Sequence, residues 1–219
     1  MLADKEFLEK LLQYIGENLN HEVEGLLIGG NAMIFYGLRG QTKDIDLVFF
    51  DKHDIAAITQ IIKSHPLFKK SEITKEVPYE VNPELLKEGE PTVIQDSDLP
   101  RFDLFYKSIF SIEARKIFEK SDRILRFDLL KLKLIKPEGL IFLKGAVGRP
   151  VDKEDIIRII ENLEIDWDYL LKFVKEYHKK NKKIIWLLLG TLYDINRKNE
   201  DLIPKYFLEE LVGLFDMKL

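Results

Sequence analysis

The chain has 219 residues, enough for one large domain or two small ones with a proper buried core. It contains no cysteine, which excludes disulfide and thiol chemistry, and its net charge of −4 confines any nucleic-acid binding to a local basic patch. No apolar run reaches about 18 residues, so no membrane-spanning helix is expected, and acids near the start without a signal-peptide pattern make the cytoplasm the expected location.

In chain order, Leu2 to Leu19 reads as an amphipathic helix capped by Asp4, with Phe7, Leu8, Leu11, Leu12, Ile15 and Leu19 at helical spacing. Val23 to Ile28 reads as a strand. Gly29-Gly30 is the expected turn out of it, with a helix from Asn31 to Tyr36 after the turn. Glycine lets backbone approach a ligand, and the helix start offers N–H groups and a positive dipole end, so this unit is a candidate phosphate cradle. A tight turn with no ligand is the competing reading. Arg39 to Lys43 is a loop, with Thr42 and Lys43 flanking the next strand. That strand, Asp44 to Phe50, is dense in apolar and β-branched residues. Side chains alternate across a strand, so Asp44 and Asp46 share one face and Ile45 and Leu47 the other. Two neighbouring carboxylates repel and cost desolvation. A cation between them relieves both, and a divalent metal does so economically. A helix from Asp54 to Ser64 is expected next.

The stretch from Lys69 to Gln95 carries the weakest pattern. A strand near Ser71 to Val77 and a loop or short helix near Pro83 to Glu88 are expected. In Arg101 to Phe105, Asp103 is a lone carboxylate within an apolar strand and the candidate third acid; Asp96 and Asp98 compete for that role. Ser111 to Ser121 reads as partly helical and Arg126 to Ile135 as a strand. Pro137-Glu138 opens a helix that runs to Ala146 and carries Lys144. Four further helices are expected: Asp152 to Leu163, Asp166 to Lys180, Ile184 to Arg197 and Pro204 to Phe215. Asp152 is a candidate N-cap, and Asp166 caps its own helix. Trp186 and Tyr193 read as core or interface, with base stacking as the alternative. Lys179, Lys180, Lys182 and Lys183 read as a solvated turn, or as a guide for an RNA backbone. His21, His53, His65 and His178 show no metal-ligand spacing.

The pattern Gly29-Gly30-x-Ala32, Gly37, Arg39, Thr42-Lys43-Asp44-Ile45-Asp46-Leu47 resembles the nucleotidyltransferase superfamily with its DNA polymerase β-like fold. Within it the pattern looks most like the branch of abortive-infection toxins of type IV toxin–antitoxin systems. The stretch Gly148-Arg149-Pro150-Val151-Asp152 after the Lys144 helix resembles that branch's second signature. Many relatives carry Arg two residues before the Thr, where this chain has Gly40; Arg39 lies one residue earlier. The resemblance implies an α/β fold, a mixed sheet flanked by helices over residues 1–135, and then a helical region over 136–219. It implies a nucleoside triphosphate substrate, magnesium or manganese on Asp44, Asp46 and Asp103, and nucleotide contacts from Gly29, Gly30, Asn31, Thr42, Lys43 and Lys144. Arg149 and Asp155 are further candidates. It implies transfer of a nucleoside monophosphate to a hydroxyl of RNA, tRNA or protein, and a cognate partner protein. Other classes stay open: a non-catalytic nucleotide- or partner-binding module, or a kinase-like phosphoryl transferase on the same fold.

Overall fold

The computed structural model describes residues 1–75, 90–109 and 111–215. The chain divides into two compact units, Met1–Ile135 and Lys136–Leu219. It is a mixed α/β protein, and its second unit is helical.

The first unit begins with a two-residue strand, β1 (Ala3–Asp4), and helix α1 (Lys5–Glu17). Asp4 caps α1 by accepting from the Phe7 N–H at 2.9 Å, in keeping with its position. Leu8, Leu11, Leu12 and Ile15 form the buried stripe of α1. Next along the chain are β2 (Val23–Leu27), α2 (Gly29–Phe35), β3 (Gln41–Thr42), β4 (Asp44–Phe49) and α3 (Lys52–Ser64). Then come β5 (Glu72–Thr74), β6 (Thr92–Gln95), β7 (Arg101–Tyr106), β8 (Ser108–Ile109), β9 (Ile112–Glu113) and α4 (Arg115–Lys120). Strands β10 (Ile124–Phe127) and β11 (Leu130–Leu134) end the unit.

Seven of these strands form one sheet in the order β10-β11-β2-β4-β7-β6-β5. The pairs β11–β2 and β4–β7 are parallel and the others antiparallel. The sheet is mixed because β4 and β7 are joined by a long excursion that returns in the same direction, whereas β10 and β11 are a hairpin. Ile45, Leu47, Val48 and Phe49 of β4 and Phe102, Leu104 and Phe105 of β7 are buried, as the two central strands of a covered sheet require.

Several expectations change in detail. Helix α2 begins at Gly29, so the glycine pair is its first turn rather than a turn before it. The single strand expected over Arg126 to Ile135 is the second half of a hairpin. The chain reverses at Asp128, whose φ of 51° lies in the left-handed region that Asp tolerates. Strand β6 has no counterpart among the sequence expectations, since Pro and mixed charge surround four apolar-leaning residues. Of the strand expected over Ser71 to Val77, Glu72–Thr74 forms. The rest of it from residue 76, and the loop or short helix near Pro83 to Glu88, lie outside the described residues.

The second unit has α5 (Pro137–Val147), α6 (Pro150–Asn162), α7 (Trp167–His178), α8 (Lys182–Lys198) and α9 (Lys205–Gly213). Helix α5 is buried from Glu138 to Ala146. Glu138 accepts from the Asp166 N–H at 2.8 Å, and Asp166 caps α7 through the Tyr169 N–H at 2.8 Å. Burial and the nearby carboxylates of Glu138 and Asp166 push the Tyr169 phenol up to about 12. Asp152 is not an N-cap. Arg149 holds that place, Pro150 opens the helix, and Asp152 reaches back to the Arg149 N–H at 3.2 Å. Ile185, Leu188, Leu189, Leu192 and Ile195 are buried on α8 as expected, whereas Trp186 and Tyr193 are about half exposed and are not core.

Helix α1 lies against the β10–β11 hairpin at Gly16, where a Cβ would stand 1.7 Å from the Phe127 carbonyl oxygen. Propensity alone favours Gly16→Ala by about 1 kcal/mol. The clash reverses the sign, and urea unfolding is expected to show a net loss of about 1–3 kcal/mol. A variant as stable as the parent would mean that α1 does not press on this hairpin.

Candidate functional site

Strands β4 and β7 run parallel with Asp44 opposite Arg101 and Asp46 opposite Asp103. Alternation along each strand therefore puts Asp44, Asp46, Arg101 and Asp103 on one face of the sheet. The apolar partners Ile45, Leu47, Phe102 and Leu104 take the other face and are fully buried. Register alone thus puts the three carboxylates on one sheet face.

Asp103 is fully buried, and such a carboxylate needs a partner. Arg101 supplies it. Its Nε donates to Asp103 Oδ1 at 2.7 Å and its Nη2 to Asp103 Oδ2 at 2.9 Å, a bidentate pair. The same Nη2 lies 2.9 Å from Asp44 Oδ1. Arg101 is therefore the cation between two of the three acids. The sequence carried a signal for this: Arg101 precedes Asp103 by two residues, which in a strand means the same face.

The glycine pair abuts this cluster. Gly29 has a φ of 64°, and a Cβ there would stand 2.1 Å from Asp46 Oδ2. Both the backbone conformation and the space demand glycine. A Cβ on Gly30 would meet Thr42 Oγ1 at 2.6 Å and Arg39 Nη1 at 3.0 Å, so Arg39 lies beside the pair. Asn31 is fully buried. With its amide oriented to satisfy both ends, it donates to the Asp44 carbonyl at 2.7 Å and accepts from the Asp46 N–H at 2.5 Å. It thereby ties the first turn of α2 to the acidic strand. Thr42 donates to the Asp44 carbonyl at 3.1 Å. Lys43 is exposed, and its carbonyl accepts from the Arg101 N–H at 3.0 Å.

Asp96 accepts from the Asp98 N–H at 3.0 Å in a local turn ahead of β7. Lys144 belongs to the second unit. It is nearly buried there, 2.7 Å from Asp155 Oδ2 and 3.5 Å from Asp152 Oδ1. Arg149 completes that group through Asp152 Oδ2 at 2.8 Å.

Three carboxylates are the hard oxygen donors that magnesium and manganese take, and Asp44, Asp46 and Asp103 are the residues that could hold such an ion. The match is one of donor chemistry. Among the described residues no three His, Cys, Asp or Glu side chains converge as a metal-holding group, and Arg101 supplies the positive charge instead.

No protein-family model matches the chain, and no curated protein matches it. Among solved structures, the crystal structure of a putative nucleotidyltransferase from H. pylori is similar, with 18% identity and a TM-score of 0.45 over 98% of this chain and 95% of that one.

Arg101→Met leaves the buried Asp103 without its bidentate partner. A loss of about 3–5 kcal/mol in urea unfolding is expected, and Arg101→Lys, which keeps the charge but not the fork, falls between. A loss under about 1 kcal/mol for the Met variant would show that Asp103 is compensated elsewhere.

Proposed function

We propose that the first unit is a nucleotidyltransferase-type domain. In this reading it transfers a nucleoside monophosphate from a nucleoside triphosphate to a hydroxyl of RNA, tRNA or protein. The observation that carries the reading is the alignment of Asp44, Asp46 and Asp103 on one sheet face, with the glycine pair pressed against Asp46. The sequence resemblance supplies the class of reaction; the register supplies the geometry.

Each residue has a part in this reading. The first turn of α2, with no side-chain cap, offers backbone N–H groups at Gly29 and Gly30 to the triphosphate. Asn31 and Thr42 hold the acidic strand against that turn. Lys43 is exposed at the entrance and meets phosphate oxygens. Asp44, Asp46 and Asp103 would hold divalent metal, which when bound would polarise the α-phosphate and neutralise departing charge. For that, Arg101 would have to give up its place between Asp44 and Asp103. Asp103 then takes the proton of the attacking hydroxyl. The hydroxyl oxygen bonds to the α-phosphorus as its bond to the β-phosphate oxygen breaks, and pyrophosphate leaves. Lys144, which the resemblance names as a nucleotide contact, is paired with Asp155 within the second unit.

One observation favours a second reading. Arg101 already pairs with both Asp44 and Asp103, which suits a non-catalytic nucleotide- or partner-binding module, such as a toxin–antitoxin component. A kinase-like transferase would use the same residues and differs only in moving the γ-phosphate.

The decisive assay incubates the protein with each α-labelled nucleoside triphosphate in magnesium or manganese, with and without total tRNA. Label in RNA or protein that falls to background in Asp44→Asn and Asp46→Asn is expected. In a parallel incubation with γ-labelled triphosphate, label transferred from the γ-position where none is transferred from the α-position assigns the kinase-like reading. Metal-dependent nucleotide binding by calorimetry without transfer, unchanged in both Asp variants, removes the acids from the site and supports the module reading.

A further inference from the structure

Helix α8 buries one face and turns the other outward. The outward face carries Lys183, Trp186, Gly190, Tyr193 and Arg197, which recur at helical spacing and are all exposed. Trp186 is 48% exposed and Tyr193 49%, a large apolar display for two such residues on one stripe. Gly190 lies between them, and a Cβ built there meets nothing within 4 Å, so the space between the two rings is open. Trp186 packs against Phe215 with ring centroids 5.1 Å apart at 78°, which steadies the indole without covering it.

Cations flank the rings. Lys182 and Lys183 stand at the start of α8 and Arg197 and Lys198 at its end, all exposed. Asp194 is the one acid in the helix sequence, and Lys153 holds it at 2.6 Å. Lys153, with Arg197 and Lys198 nearby, keeps the Asp194 carboxyl below the usual carboxylate range. The face is therefore aromatic in the middle and positive at both ends, on a chain whose net charge is negative.

We propose that this face of α8 docks single-stranded nucleic acid. Seven helical residues rise about 10 Å, three stacking steps of about 3.4 Å, which is the space of two bases enclosed between two rings. Unpaired bases stack on Trp and Tyr irrespective of sequence, and the flanking Lys and Arg neutralise the phosphates on either side. An apolar protein surface would match the rings alone; a polynucleotide strand matches rings and cations together. The proposal goes beyond the transfer reading, because docking here needs neither the acids nor a nucleoside triphosphate.

The test is fluorescence anisotropy of a labelled, mixed-sequence single-stranded RNA oligonucleotide with the full chain at low salt, without metal or nucleotide. The wild type is expected to bind. Trp186→Ala and Tyr193→Ala are each expected to weaken binding by about five-fold or more, with Trp186→Phe largely restoring it. Lys182→Gln with Arg197→Gln is expected to lower the salt slope by about one for each phosphate contact removed. Circular dichroism of each variant checks that the helix is intact. No binding by the wild type overturns the proposal, as does equal binding by the double aromatic variant. Equal binding of a duplex of the same sequence overturns it too, since a duplex presents no unstacked bases. Self-association in sedimentation that depends on Trp186, with no RNA binding, assigns the face to a second copy of the chain and also overturns it.

Discussion

The first unit depends on one electrostatic constraint: Asp46 and Asp103 are direct neighbours on parallel strands, with Asp44 beside them on the same face. Two unit charges about 5 Å apart repel by roughly 3 kcal/mol at an effective dielectric near 20. A sheet that keeps such a pair at its centre must supply a cation. Arg101 is that cation, and it comes from the acidic strand itself, two residues before Asp103.

The surroundings are built to fix the carboxylates rather than to let them separate. Gly29 approaches Asp46 so closely that no side chain fits, and Asn31 commits both ends of its amide to the backbone of Asp44 and Asp46. A buried Asn costs desolvation unless both ends are paired, so its position ties the register of α2 to that of β4. Thr42 adds a third tie through the Asp44 carbonyl.

The features legible in the sequence are the local ones. Alternation places Asp44 and Asp46 on one face, and the lone acid in an apolar strand points to Asp103. Periodicity finds α1 and the buried stripe of α8, and Asp4 and Asp166 announce their caps. The features that escape sequence reading are non-local or depend on special backbone. The Asp128 reversal needs a positive φ that no spacing announces, so the pattern reads as one strand where a hairpin forms. Strand β6 is held by β7 and β5 rather than by its own composition. Arg101 obeys the same two-residue rule as the acids, but a charged residue at the first position of a strand reads equally well as a solvated end. For Lys144 the family resemblance implies a phosphate contact, and the competing reading is a solvated Lys. Within its own unit it is buried against Asp155, a pairing across eleven positions that helical spacing does not reveal.

Trp186 and Tyr193 show the complementary effect. They sit within an apolar run and so read as core or interface, yet they are seven residues apart and share a face that the buried stripe does not use. A helix whose sole purpose was packing would fill that face with Lys, Glu or Gln, which favour helix and water together. Here the cations are kept to the two ends and the middle is given to two rings and a glycine, the residue least suited to a helix interior after proline. Gly190 lowers helix propensity without relieving any contact, so packing does not account for its place between the rings.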